Sequence, residues 1–207
     1  MFRDRKDAGR RLAEELARYA DRDDVLVFGI PRGGVIVAAE IAARLDLPLD
    51  VVVTSKVGAP GNPEYAIGAV DPDGSVIVNA QAGYGIEEVE ILGRSVREKI
   101  ERRIDLYRGG RFGLPVEGKI AIVVDDGIAT GLTARAAVEY LRRMGASRIV
   151  LATPVIAEDT AGSMAESIDE LVAVETPTIF YAVGQFYRRF GQTSDDEVLA
   201  ALGANGA

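Results

Sequence analysis

Two adjacent acids, Asp125 and Asp126, stand between a short apolar run and a glycine-bearing loop in the stretch KIAIVVDDGIATGLTAR at 119–135. Residues 120–124 are apolar at every position and mostly β-branched, the pattern of a strand buried on both faces in a parallel sheet. Gly127 and Gly131 let the backbone turn tightly, and Thr133 is placed to start a helix. The free N–H groups of that helix start, with those of Ala129, Thr130, Gly131 and Leu132, would face an anion, so the spacing predicts a phosphate site. Carboxylates touching the phosphate would repel it. Asp125 and Asp126 are therefore expected one sugar away, accepting hydrogen bonds from neighbouring hydroxyls. Two ionised acids at a buried strand end are costly unless solvated, paired or in use.

A second strand, loop and helix comes earlier. Residues 25–28 read as a buried strand, followed by Gly29-Ile30-Pro31-Arg32-Gly33-Gly34 and a helix over 35–45. Gly33 and Gly34 permit close backbone approach at a helix N-terminus, and Arg32 offers a fork of donors suited to phosphate oxygens. Residues 49–55 read as the next strand, with Lys56 at its C-terminal end, the edge where open α/β sheets bind ligands. The plainer alternatives are a βα turn with an exposed Arg and a solvated Lys.

The remaining elements must position these loops. Residues 7–19 form an amphipathic helix with Leu12 and Leu16 one turn apart, assigned to packing alone. Residues 58–64 are rich in Gly, Pro and Asn and feed a hairpin over 66–70 and 75–78, turning at 71–74. A long amphipathic helix over 87–107 carries Val89, Leu92, Val96, Ile100 and Ile104 on one face. A helix over 134–144, a strand over 148–152, a helix over 158–168 and a strand over 171–174 continue the α/β series. Aromatic residues cluster at 176–192, and a frayed tail is expected at 203–207. The fold class expected is α/β: a single domain over 1–207 built on an open, mainly parallel twisted sheet flanked by helices.

Composition narrows the chemistry. The 207 residues contain no Cys and no His, which removes disulfides, thiolate nucleophiles, Ser-His-Asp triads and the usual zinc sites. A net charge of −8 opposes DNA as a partner. No apolar run reaches a membrane span, and the charged start MFRDRKDAGRR lacks the apolar core of a signal peptide, so a soluble cytoplasmic protein is expected.

The stretch VVDDGIATGLT resembles the phosphoribosyl pyrophosphate (PRPP) motif of the type I phosphoribosyltransferases, and IPRGG resembles their pyrophosphate loop. The resemblance implies that Asp125 and Asp126 hold the ribose hydroxyls, and that Ala129, Thr130, Gly131, Leu132 and Thr133 hold the 5′-phosphate. It assigns Arg32, Gly33 and Gly34 to pyrophosphate, with a cis peptide bond often found before the residue matching Arg32; Lys56 is expected to join them because both neighbouring strand ends point to phosphate. Mg²⁺ is implied as cofactor, held mainly through PRPP, and a homodimer is expected. Within a core at about 20–175, residues 57–85 correspond to the mobile flap. Residues 176–192 correspond to a C-terminal hood, placing Tyr181 over an acceptor base and the Ala182 backbone at its edge.

There are departures. The 6-oxopurine enzymes carry an additional acid at the position of Ala129 and a lysine where Thr153-Pro154 stands here, which disfavours hypoxanthine or guanine. Ala-Thr-Gly does occur in adenine and uracil enzymes. The activity implied is transfer of the 5-phosphoribosyl group to a nitrogen acceptor with release of pyrophosphate. Arg32, Lys56, Asp125 and Asp126 would be the catalytic residues. The alternatives are a PRPP-binding regulator that lost its chemistry, or an unrelated phosphosugar hydrolase whose catalytic groups the sequence does not supply.

Overall fold

The computed structural model describes residues 1–203. In chain order the elements are α1 (Arg5–Glu15), β1 (Val25–Gly29), α2 (Gly33–Leu45), β2 (Leu49–Val51), β3 (Ser55–Ala59), β4 (Asn62–Val70) and β5 (Val76–Val78). There follow α3 (Ile86–Arg108), β6 (Ile120–Val124), α4 (Leu132–Arg143), β7 (Arg148–Val155), α5 (Glu158–Met164), β8 (Glu170–Glu175) and α6 (Asp195–Gly203).

Five strands form one parallel sheet in the order β2-β1-β6-β7-β8. Strands that are apolar at successive positions need cover on both faces, and they receive it. Val25, Val27, Ile122 and Val124 pack under α1 and α2, while Leu26, Phe28, Ala121 and Val123 pack under α4 and α5. The strand order reverses between β1 and β6, because β2 lies beyond β1 on one side and β7 and β8 lie beyond β6 on the other. Loops leaving β1 and β6 at the C-terminal edge therefore diverge and open a crevice between them, the place where such sheets bind ligands.

Strands β3, β4 and β5 form a separate antiparallel sheet. Val57, Ile67 and Val70 face Val89 and Ile100 of α3, and Ala69 meets Leu132 and Ala136 of α4. At its far end Asp71, only 2% exposed, accepts hydrogen bonds from the Asp73 and Ser75 amides at 2.9 and 3.0 Å. It also pairs with Arg143 at the end of α4.

Several expected boundaries change. The run at 49–55 is not one strand: β2 ends at Val51, and the chain crosses to the second sheet, with the Thr54 hydroxyl donating to the Thr133 carbonyl at 3.2 Å. Lys56 consequently stands in β3 rather than at the end of a parallel strand. The turn-rich stretch at 58–64 is itself a hairpin end, with Gly61 at φ 78° between β3 and β4. The first helix ends at Glu15, α5 ends at Met164, and α4 begins at Leu132, one residue ahead of Thr133. Helix α6 was not anticipated; it buries Val198 and Leu202 against the α3 cluster. Of the expected tail, Gly203 closes α6 and the rest lies outside the described residues. Among the described residues no helix is long and apolar enough to cross a membrane.

Because Asp71 ties the turn of the second sheet to α4 from a buried position, Asp71→Ala should destabilise the protein by about 3 kcal/mol in urea unfolding. A loss under about 1 kcal/mol would show that the apolar contacts alone hold this sheet in place.

Candidate active site

The loop after β6 is stapled to its surroundings through its backbone. Ile128 donates to the Val155 carbonyl at 2.9 Å, Ala157 donates to Ile128 at 3.0 Å, and the Thr160 hydroxyl donates to the Ala129 carbonyl at 2.5 Å. Gly131, at φ 72°, caps α4 in the left-handed conformation that favours glycine. Residues 127–133 line a cavity of about 190 Å³ together with Asp125, Lys56, Ala66 and Val183. Four sequence expectations thus converge on one space: an acid, the residues Ala129, Thr130, Gly131, Leu132 and Thr133, the start of a helix, and Lys56. The lysine arrives from β3 and lies 2.8 Å from Glu64 across an exposed ion pair.

The loop after β1 leans directly on the acids. A Cβ on Gly33 would fall 1.8 Å from Asp126 Oδ2, and one on Gly34 would fall 2.6 Å from the Val124 carbonyl and 2.9 Å from Asp125 Cα. These two glycines, expected to admit a ligand, are required here by contact between the two loops. The Pro31–Arg32 peptide bond is cis. Arg32 and Gly33 line a second cavity of about 230 Å³, shared with Arg5 and residues 190–193. Arg32 and Lys56, expected to act on one group, therefore border different cavities.

The two acids differ in their surroundings. Asp126 pairs with Arg5 Nε at 2.6 Å, and both side chains are largely buried. The Arg5 guanidinium also donates to the Gly191 carbonyl at 2.8 Å and lies 4.0 Å from the centre of the Phe190 ring. The Tyr187 hydroxyl donates to the Asp126 main-chain carbonyl at 2.5 Å. Burial, then the neighbouring Asp126 charge, pushes the Asp125 carboxyl well above the usual carboxylate range. Burial likewise pushes the Tyr187 hydroxyl up, keeping it protonated as a donor. Sequence reasoning missed Arg5, because a charged residue at a helix start looks like any solvated one, and it left Tyr187 within a general aromatic cluster.

The C-terminal segment brings Val183, rather than Tyr181 or Ala182, to the phosphate-loop cavity. Tyr181 is 88% exposed, and the Tyr181 and Ala182 amides both donate to Gln185 Oε1, at 2.9 and 3.1 Å. Neither residue borders the phosphate-loop cavity; Val183 does. Its side chain presses on Gly127, where a Cβ would come within 2.3 Å of it. The reason is local: Gln185 folds the chain into a short 3₁₀ turn over Val183–Phe186, which turns Val183 inward.

The raised Asp125 carboxyl gives a signed prediction. It holds its proton to higher pH in the folded chain than in the unfolded one, so its stability contribution is present in acid and lost as pH rises through the raised value. Asp125→Asn should then stabilise the ligand-free protein at pH 7, and the gain should vanish below about pH 3, where the carboxyl is protonated in both the folded and the unfolded chain. Thermal unfolding at the two pH values checks this; equal effects at both would mean that the carboxylate is not penalised by burial.

The comparisons with known proteins agree with this geometry. The family described as phosphoribosyl transferase domain matches residues 3–189. A Mycobacterium tuberculosis protein named as a phosphoribosyl transferase is 46% identical over 206 residues, which cover 98% of this chain and 46% of that protein. The chain thus spans about half the length of the curated relatives it matches. The crystal structure of TT1426 from Thermus thermophilus superposes with a TM-score of 0.81 at 40% identity, covering 97% of both chains. An adenine phosphoribosyltransferase of Campylobacter hominis is 26% identical over 170 residues, covering 82% of this chain and 76% of its own. With nearly its whole length matched and both loops at the sheet's reversal point, the chain belongs to the phosphoribosyl transferase domain family.

Proposed function

We propose that the protein transfers the 5-phosphoribosyl group of PRPP to a nitrogen acceptor, in the simplest case a nucleobase, and releases pyrophosphate. The observation that carries this reading is the one cavity that joins Asp125, the loop at 129–133 and Lys56. The loop amides and the α4 N-terminus take the 5′-phosphate. Asp125 and Asp126 accept hydrogen bonds from the ribose hydroxyls and so fix C1 for in-line attack. Arg32, the Gly33 and Gly34 backbone and Lys56 stabilise charge on the departing pyrophosphate.

Lys56, whose backbone pairs with Ala69 at the base of the second sheet, would reach pyrophosphate by swinging its side chain away from Glu64, and the hairpin end beyond it would close as a flap. Residues 57–85 accordingly act as a flap and 176–192 as a hood over a core at about 20–175. Closure keeps water from the electron-poor C1. Ala129 carries no acid to take the proton that an N–H acceptor sheds as the bond to C1 forms, so that proton would leave with the departing pyrophosphate or to water; we favour a base other than a 6-oxopurine, which is consistent with the similarity to an adenine enzyme.

Asp125 and Asp126 are hard oxygen donors, and among the described residues no cluster of three carboxylates forms a metal cage. Such a set fits Mg²⁺ held mainly by the phosphates of its ligand. When bound there, Mg²⁺ offsets negative charge on pyrophosphate.

Calorimetry with PRPP and Mg²⁺, followed by pyrophosphate release across a panel of bases, tests the reading. Binding with turnover on at least one base is expected, and no PRPP binding at saturating Mg²⁺ overturns it. The flap has its own test: amide exchange at 61–65 should slow by about tenfold or more on PRPP binding. The amides of Val70 and Val76, pinned beside Asp71, should change little. Equal exchange at 61–65 with and without ligand would leave the site without a lid.

A further inference from the structure

We propose that Arg5 is the positioning residue for Asp126, so that the start of the chain and the segment at 187–191 together orient one of the two ribose-binding acids. The inference rests on the reading of the site given above.

Asp126 is held on every side that the fold supplies. Arg5 Nε meets Oδ2 at 2.6 Å, the carboxylate lies against Gly33 where no side chain could fit, and Tyr187 fixes the main-chain carbonyl. Arg5 is itself fixed by the Gly191 carbonyl and the Phe190 ring. The N-terminal strand of contacts is continuous with this clasp. Phe2 donates to the Phe186 carbonyl at 2.8 Å, and Arg188 and Arg189 donate back to Phe2 and Arg3 at 2.9 and 3.0 Å.

Asp125 has a different environment. Its Oδ1 accepts the Asp126 amide at 2.8 Å, and it borders the phosphate-loop cavity, which Asp126 does not. The pair is thus asymmetric, with one acid facing the cavity and the other anchored. The Arg5 ion pair engages Oδ2 of Asp126, so Oδ1 is the oxygen through which Asp126 would accept a ribose hydroxyl. Arg5 holds the carboxylate in that orientation, and its charge makes two adjacent acids tolerable beside each other. A residue with this role acts through Asp126 and has no effect of its own on the ligand.

A double-mutant cycle separates these cases, with the affinity for ribose 5-phosphate measured by calorimetry on the whole chain. Arg5→Gln should weaken binding about tenfold. Arg5→Lys, which keeps the charge, should weaken it less, and Arg5→Gln should add nothing in an Asp126→Asn background. Additive losses, or equal losses in Arg5→Gln and Arg5→Lys, overturn the inference while the reading of the site stands. A wild-type protein that does not bind ribose 5-phosphate overturns both. If Arg5→Gln does not fold, the cycle is run with Arg5→Lys, and the same non-additivity decides.

Discussion

Two neighbouring carboxyls at the end of a sheet's central strand cannot both be charged and buried without cost, and the packing around β6 treats the two differently. Asp126 receives a cation from α1, and Asp125 receives a backbone amide from Asp126. The loop after β1 can lie against them because Gly33 and Gly34 present only backbone. The α1 cation and the β1 loop each bring a distant part of the chain to one point at the sheet's edge. The acids thereby organise the molecule as well as the site.

Topology explains why that point is a crevice. Were β6 to continue outward past β2, the loops after β1 and β6 would run on the same side and no gap would open between them. The reversal of strand order at β1 and β6 splits them, and the two βα loops flank the gap. The antiparallel sheet then closes the third side. It delivers Lys56 from a strand that belongs to neither loop, while Asp71 and the Ala69 contacts fix its base to α4. The sheet is therefore anchored at the end that carries Asp71, away from its β3–β4 hairpin.

What the sequence revealed was local, and what it hid was long-range. The strand, acids, glycines and helix at 119–135 are covalent neighbours, so their spacing alone predicts a phosphate loop, and α4 starts within one residue of the expected place. The apolar run VVVTS at 51–55 gives no sign of where the chain leaves one sheet for another, because both environments select the same β-branched residues. Where the chain departs, the Thr54 hydroxyl reaches the Thr133 carbonyl, a contact that spacing does not encode. Arg5 reaches Asp126 across 121 residues, and a lone arginine at a helix start carries no mark of that partner. Tyr181 followed from motif likeness and proved exposed, since Gln185 captures the amides of Tyr181 and Ala182 and turns Val183 inward instead.

Lys56 and Arg5, two of the cations bordering the site, each hold a protein carboxylate, and the difference between the two pairs separates their roles. Lys56 and Glu64 meet at 2.8 Å with side chains 44% and 90% exposed, so water and salt screen the pair and little is lost when Lys56 trades Glu64 for a phosphate. Arg5 and Asp126 meet at 2.6 Å with side chains 14% and 15% exposed. Breaking such a pair strands a buried charge, at a cost of about 3–5 kcal/mol. A ligand would have to repay that cost before gaining any affinity. On the function proposed above, the exposed pair is the one suited to open and deliver its cation to pyrophosphate, and the buried pair is the one suited to stay closed and keep Asp126 in place.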